Sequence, residues 1–241
     1  FCGNITLGDI HLIGDTKITK ESKNADSQVI FAGDVSGNYA LTLAPARGQD
    51  RFDGVVFTGN VDVKKINVAT KAEITFLGTT NIGEFVTNGD AEFTIGQDAE
   101  HTAKMTLGRL EMGNNEKATG ADSLTVHAGS LLKITGNNNT ATALGHYKTA
   151  SLLIGEWNDE TVLNIDGSLL AKDATMFTGD QGGSINIGSA GTVAIKGIAS
   201  VTGPNTSVLN LTVADGAKLI LGSEGLNSNN KNPDIRFDAG V

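Results

Sequence analysis

Cysteine is nearly absent from these 241 residues: Cys2 stands alone. One thiol closes no intrachain disulfide, and no Cys/His set has zinc-ligand spacing. Proline is as scarce, with three residues, and so are the amphipathic aromatics, with one tryptophan and two tyrosines. No apolar run is long enough to cross a bilayer as a helix. No 3.6-residue apolar period is sustained over helix length either, which argues against a helix bundle. Positive charge is in deficit: 18 Lys and Arg face 27 Asp and Glu, for a formal charge of −9 and a pI near 4.8. Phosphate backbones are bound through clustered Lys and Arg, so this balance argues against nucleic acid and anionic membranes as partners. Acidity of this size serves solubility.

No signal peptide is expected within the first residues, because residues 1–7 already read as turn and strand, without a basic region or an apolar run. Residues 235–241 stop in mid-pattern. The expectation is that residues 1–241 are one β-helix segment of a larger exported protein. A fold that rests on repeat stacking needs no disulfides outside the cell, and a reducing cytosol accommodates the same composition.

What the chain has in excess is glycine, 31 residues against an expectation of about 7 %. Its 39 % hydrophobic content falls in short clusters of one form, apolar-polar-apolar, often with threonine in the middle. Ile5-Thr6-Leu7, Leu41-Thr42-Leu43, Ile74-Thr75-Phe76, Phe93-Thr94-Ile95, Met105-Thr106-Leu107, Leu124-Thr125-Val126 and Leu211-Thr212-Val213 are examples. In an extended strand each triplet sends two apolar groups to one face and one polar group to the other. Strands so short gain stability only when equivalent triplets from successive turns of chain pair into long parallel sheets. Gly-Asx pairs punctuate the triplets, among them Gly8-Asp9, Gly14-Asp15, Gly33-Asp34, Gly37-Asn38, Gly59-Asn60 and Asp215-Gly216. Such residues accept positive φ cheaply, the conformation expected at coil corners.

The pattern predicts an all-β fold, a single-stranded right-handed parallel β-helix with loop excursions. Coil boundaries are expected near Asp26, Asp50, Glu73, Glu92, Ser123, Ser151, Ser184 and Val208, at spacings of roughly 19 to 33 residues, the solenoid range. Polar segments 96–104, 113–122, 136–150, 156–161 and 223–233 read as loops, with a helical turn open to residues 98–104.

The run Val29-Ile30-Phe31-Ala32-Gly33-Asp34-Val35-Ser36-Gly37-Asn38-Tyr39-Ala40-Leu41-Thr42-Leu43, continued in 54–61, resembles repeats of haemagglutinin-like and autotransporter passengers. Ser123-Leu124-Thr125-Val126-His127-Ala128-Gly129-Ser130 and Leu211-Thr212-Val213-Ala214-Asp215-Gly216-Ala217-Lys218-Leu219 are similar to the V-x-x-G-A-x-L style of autotransporter adhesin repeats. The resemblance spans most of the chain and is compositional. It implies a bacterial surface β-helix exported across the outer membrane, and this sequence departs from the family in showing neither barrel nor signal.

Parallel β-helices also carry polysaccharide lyases and glycoside hydrolases, which need converging carboxylates or a basic residue beside acids. The densest charge cluster surrounds Arg51 and Asp53 and reads as a solvated corner with local ion pairs, because no second charged cluster is evident one coil away. Trp157, beside Asp159 and Glu160, is the leading sugar-stacking candidate, its indole face suited to a pyranose. The alternative is that Trp157 covers a coil edge. His146 and Tyr147, in the preceding polar segment, complete the candidate set. His11, His101, His127 and His146 are scattered, so no metal site is expected, and no cofactor is implied. Outward Thr and Asn ladders offer a face for self-association or plain solvation. The reading is a non-catalytic adhesin passenger on the bacterial surface, binding a host or matrix glycan or protein, or an identical rod. A β-helix lyase or hydrolase is the alternative, and a passive spacer the third.

Overall fold

The computed structural model describes residues 4–20, 27–46, 51–69, 71–87, 91–112, 121–136, 152–154, 160–171, 174–177, 183–195, 199–202, 208–221, 226–228 and 234–239. Among them every regular element is a strand, and every strand pairing is parallel. The chain is a parallel β-helix.

One sheet of ten strands forms the first face. Its members follow one another once per coil: Ile5–Leu7, Val29–Phe31, Arg51–Phe57, Lys71–Phe76, Ala91–Ile95, Ala121–Val126, Glu160–Ile165, Gly183–Ile187, Val208–Val213 and Asp234–Ala239. Register is unbroken along the column Ile5, Val29, Val55, Ile74, Phe93, Leu124, Leu163, Ile185, Leu211, Phe237. Nine coils and the opening strand of a tenth result. The shortest steps, Val55 to Ile74 and Ile74 to Phe93, are 19 residues, and the longest, Leu124 to Leu163, is 39.

The second sheet runs through Val35–Pro45, Val61–Val68, Thr79–Thr87 and Lys104–Met112, then divides into Leu131–Ile134 and Leu152–Ile154, both paired with Lys104–Met112. Burial explains the division. In Val61–Val68 the inward residues are Val61, Val63, Ile66 and Val68, so the two-residue alternation slips by one at Lys64-Lys65. The same slip occurs at Gly83-Glu84 and Gly108-Arg109. Each slip marks a bend that turns one long strand into two runs, a second and a third face. The first coil, with Ile10–His11 and Thr16–Lys20 both paired to Val35–Pro45, and the coils after Lys104–Met112 are split at this bend.

The core is a set of columns. Phe31, Phe57 and Phe76 stack with centroid distances of 4.3 and 4.7 Å. Phe85, on the third face, stacks on Phe93 of the first at 4.7 Å, and Phe76 meets both edge-on. All five are fully buried. Burial contributes about 1.5–3 kcal/mol for each such side chain, and aromatic pairing about 0.5–1.5 kcal/mol per contact beyond it. Above them the column continues as Ile95, Val126, Ile165 and Ile187. Outward, Thr75, Thr94, Thr125, Asn164, Asn186 and Thr212 share one register position, and Asn186 Nδ2 donates to Asn164 Oδ1 at 3.0 Å.

Four expectations require correction. The boundary at Ser151 precedes the third-face strand of the sixth coil, and the seventh coil opens with Glu160–Ile165. Glu73, Glu92, Ser123 and Ser184 do share one column. Residues 98–104 form bends and the start of a strand, not a helical turn. The segments read as loops contain strand: Asp122 lies buried in Ala121–Val126, Glu160 begins a strand, and Leu226–Ser228 pairs with Ala199–Thr202. Gly8, Gly14, Gly33 and Gly59 are not among the positive-φ glycines, whereas Gly37 and Gly216 are. At Gly33 and Gly59 the need is space: a Cβ on Gly59 would lie 2.1 Å from the Gly33 carbonyl oxygen in the coil below.

Candidate functional site

The bend between second and third faces produces a groove. Along the second face one register position is polar and points outward in the first six coils, His11, Ser36, Asp62, Asn81, Thr106 and Lys133, and continues as Leu170, Ala194 and Ile220. Beside it, at the bend, Lys64 is followed by Gly83 and Gly108, which have no side chain to fill the space. A polar column on one side and a bare backbone floor on the other leave a concavity of about 500 Å³. Asn38 lines one end and Thr135 and Gly136 the other, so the groove crosses coils two to six along the axis.

Its polar groups are tied to one another. Asn81 Nδ2 donates to Asp62 Oδ1 at 3.0 Å, and Thr135 Oγ1 donates to the Leu107 carbonyl at 3.1 Å. Below the groove His11 Nδ1 and Ser36 Oγ are 3.0 Å apart in the same column. Cross-coil bonds of this kind hold side chains in one rotamer, so the floor is set before a ligand arrives. Asp62 and Lys64 are the charged residues of the lining, one of each sign.

The third face carries a ladder of alternating charge at the neighbouring register position: Lys65, Glu84, Arg109. Lys65 Nζ lies 3.0 Å from Glu84 Oε2. Arg109 Nη2 lies 2.9 Å from Glu111 Oε2, both side chains buried. Arg109 Nε and Nη2 nonetheless lack a well-aligned hydrogen bond, so the pair rests on charge more than on bond geometry.

Of the candidates read from sequence, Arg51 and Asp53 open the first-face strand of the third coil, away from the groove. Arg51 Nε donates to Asp53 Oδ2 at 2.6 Å in a local ion pair with Arg51 well exposed. The expectation that no second charged cluster lies one coil away is wrong. Lys71 is registered on Arg51 from the next coil, and Lys20 reaches from two coils below. Lys20 Nζ donates to the Asp53 carbonyl at 2.7 Å and to the Ser27 carbonyl. Burial lowers the Lys20 pKa from its usual value, against the opposing pull of Asp53 and Glu73. This corner clasps three coils. Glu160 belongs to a described strand, on the seventh coil. Trp157, Asp159, His146 and Tyr147 lie outside the described residues.

The groove escaped the sequence reading, although part of its signal is legible: Val61-Asp62-Val63 is a triplet of the same form as Met105-Thr106-Leu107. Asn81 lies in register between them, 19 residues after Asp62 and 25 before Thr106, although Thr80 breaks the apolar-polar-apolar pattern there. Among the described residues no group of three or more His, Cys, Asp and Glu is gathered for a metal ion. Comparisons of the chain with protein families, with curated proteins and with solved structures return no match.

Proposed function

We propose that the chain is a segment of an exported bacterial surface adhesin, which acts by display and binding. The observation that carries this reading is the axial groove with its neighbouring polar columns. The same outward position is polar in six successive coils, so one surface repeats its hydrogen-bonding groups at about 4.8 Å intervals. Repetition of weak, evenly spaced contacts is how a rod gains avidity for an extended partner. The net charge of −9 keeps such a rod soluble.

The groove lining presents one carboxylate, Asp62, whereas hydrolysis of a glycosidic bond uses two that flank it. That supports binding over cleavage. The test is to display the chain on a non-adherent bacterial strain and measure attachment to glycan- and matrix-coated surfaces and cell aggregation. Attachment or aggregation above the empty display vector is the expected outcome. Release of unsaturated or reducing sugars from polysaccharide by the purified chain overturns the reading in favour of an enzyme, and absence of all three activities leaves a spacer.

A further inference from the structure

We propose that the groove along the second face binds an uncharged glycan strand, laid parallel to the helix axis with about one sugar per coil. The inference rests on the adhesive reading above and names its ligand class and site. Three observations converge on it.

The first is charge. Asp62 and Lys64 cancel within the lining, and the chain as a whole is strongly acidic. A sulphated or uronate-bearing strand meets net repulsion and finds one cation. The second is the hydrogen-bonding inventory. Amides at Asn38 and Asn81 and the hydroxyl at Thr106 both donate and accept, and the Thr135 hydroxyl, whose proton goes to the Leu107 carbonyl, accepts, which is the complement of sugar hydroxyls. The Asn81–Asp62 bond uses one amide N–H and one carboxylate oxygen; the Asn81 amide oxygen and the second Asp62 oxygen remain to accept from a ligand. The third is spacing. Coils recur at about 4.8 Å, close to the length of one pyranose unit, so successive rings meet equivalent groups. Gly83 and Gly108 keep the floor low enough for a ring to lie between the polar column and the bend.

The experiment is a titration of the purified chain with neutral oligosaccharides of increasing length, from β-glucan, α-glucan and chitin series, beside uronate oligosaccharides of matched length. Three variants accompany it: Thr106→Trp to fill the groove, Asn81→Ala to remove the amide, and Thr94→Trp to place the same bulk outward on the first face. The expected result is affinity that rises with length in at least one neutral series. It falls about tenfold or more, equivalent to about 1.4 kcal/mol, in Thr106→Trp and less in Asn81→Ala. Thr94→Trp is expected to bind as the parent does, and thermal midpoints serve to check that each variant is folded.

Binding of no neutral series, stronger binding of uronates, or equal binding by both groove variants overturns the proposal. Failure of the two readings is distinguishable. If displayed cells adhere undiminished with Thr106→Trp, the groove is not the site and adhesion stands. If the purified chain binds oligosaccharide in the groove but displayed cells attach to nothing, the groove stands and the adhesive role falls.

Discussion

Coils one to four and coils six, eight and nine meet the same parallel register with different corners between first and second faces; the seventh, at Asp166-Gly167, is bonded to the coil below like the first group. In the first group the corner is a glycine with an Asx or threonine: Gly8-Asp9, Gly33-Asp34, Gly59-Asn60, Gly78-Thr79. Asp9 Oδ1 accepts from the Asp34 amide, Asp34 Oδ1 from the Asn60 amide, and Asn60 Oδ1 from the Thr79 amide, at 2.9, 2.9 and 3.3 Å. The corner is held by contacts between coils. In the second group the corners at 127–130, 188–191 and 214–217 are closed within a coil, by bonds of 3.0, 2.7 and 3.0 Å from the fourth residue to the first carbonyl. Gly129 and Gly216 take positive φ at the third turn position, as a type II turn requires. Gly33, Gly59 and Gly78 supply room, as do Gly167, Gly188 and Gly191 in later coils, whereas Gly129 and Gly216 supply backbone sign.

The cores differ in parallel. Aromatic stacking fills coils two to five, and among the described side chains aliphatic columns fill the later coils. Phe57→Ala removes a fully buried ring with stacked neighbours above and below, and the expected loss is about 3–5 kcal/mol. Ile187→Val in the aliphatic half is expected to cost about 0.5–1.5 kcal/mol. Denaturant unfolding of both variants measures the contrast, and equal losses would erase the distinction between the halves.

The corners are separated by paired alanine and asparagine substitutions. Gly59→Ala drives a Cβ against the backbone carbonyl of Gly33, and about 1–3 kcal/mol is expected from overpacking. Gly216→Ala has a nearest atom at 3.1 Å, so its cost is mainly the left-handed backbone, about 1–2 kcal/mol. Asparagine tolerates that backbone better. Gly216→Asn is therefore expected to recover much of the loss and Gly59→Asn none. Recovery at both sites by thermal unfolding would mean that space is not what Gly59 supplies.

These corners also show what could be read from the chain. Two-residue alternation in the triplets is local, so the strands and the parallel stack were legible, and the two styles of repeat seen at 29–43 and 211–219 correspond to the two corner types. The role of the early glycines was not legible, because it depends on an atom 26 residues away. The groove was hidden for a similar reason. Its polar column joins Asp62, Asn81 and Thr106 across three coils, and its depth depends on a bend revealed by a one-residue slip in burial. The charged corner at Arg51 was misjudged because Lys20 and Lys71 reach it only through coil stacking.

That corner gives the first half its own pH dependence. Burial lowers the folded-state pKa of Lys20 below 10.5, so the unfolded chain binds more protons in the interval between the two values. Stability contributed at this site therefore rises with pH across that interval and is unchanged above it. Lys20→Met is expected to flatten the alkaline limb of the stability profile, measured by urea unfolding at stepped pH. An unaltered limb would show that the clasp carries no titration.

The smallest effect belongs to the fifth coil, where residues 96–103 replace the short corner between the two groups. Asp98 Oδ1 accepts from the Glu100 and His101 amides at 2.8 and 2.7 Å, and the His101 ring Nδ1 lies 2.9 Å from it. These bonds, led by the imidazole, lower the Asp98 pKa below 3.8. A depressed carboxylate stabilises above its unfolded value and loses that contribution as pH falls through the folded one. The carboxylate is exposed, so the loop is expected to open in acid without unfolding the coils on either side. His101 ring resonances followed by NMR through that range, in the parent and in Asp98→Asn, measure it. A shift of the first-face strand resonances in step with His101 would mean that this loop couples the two groups of coils.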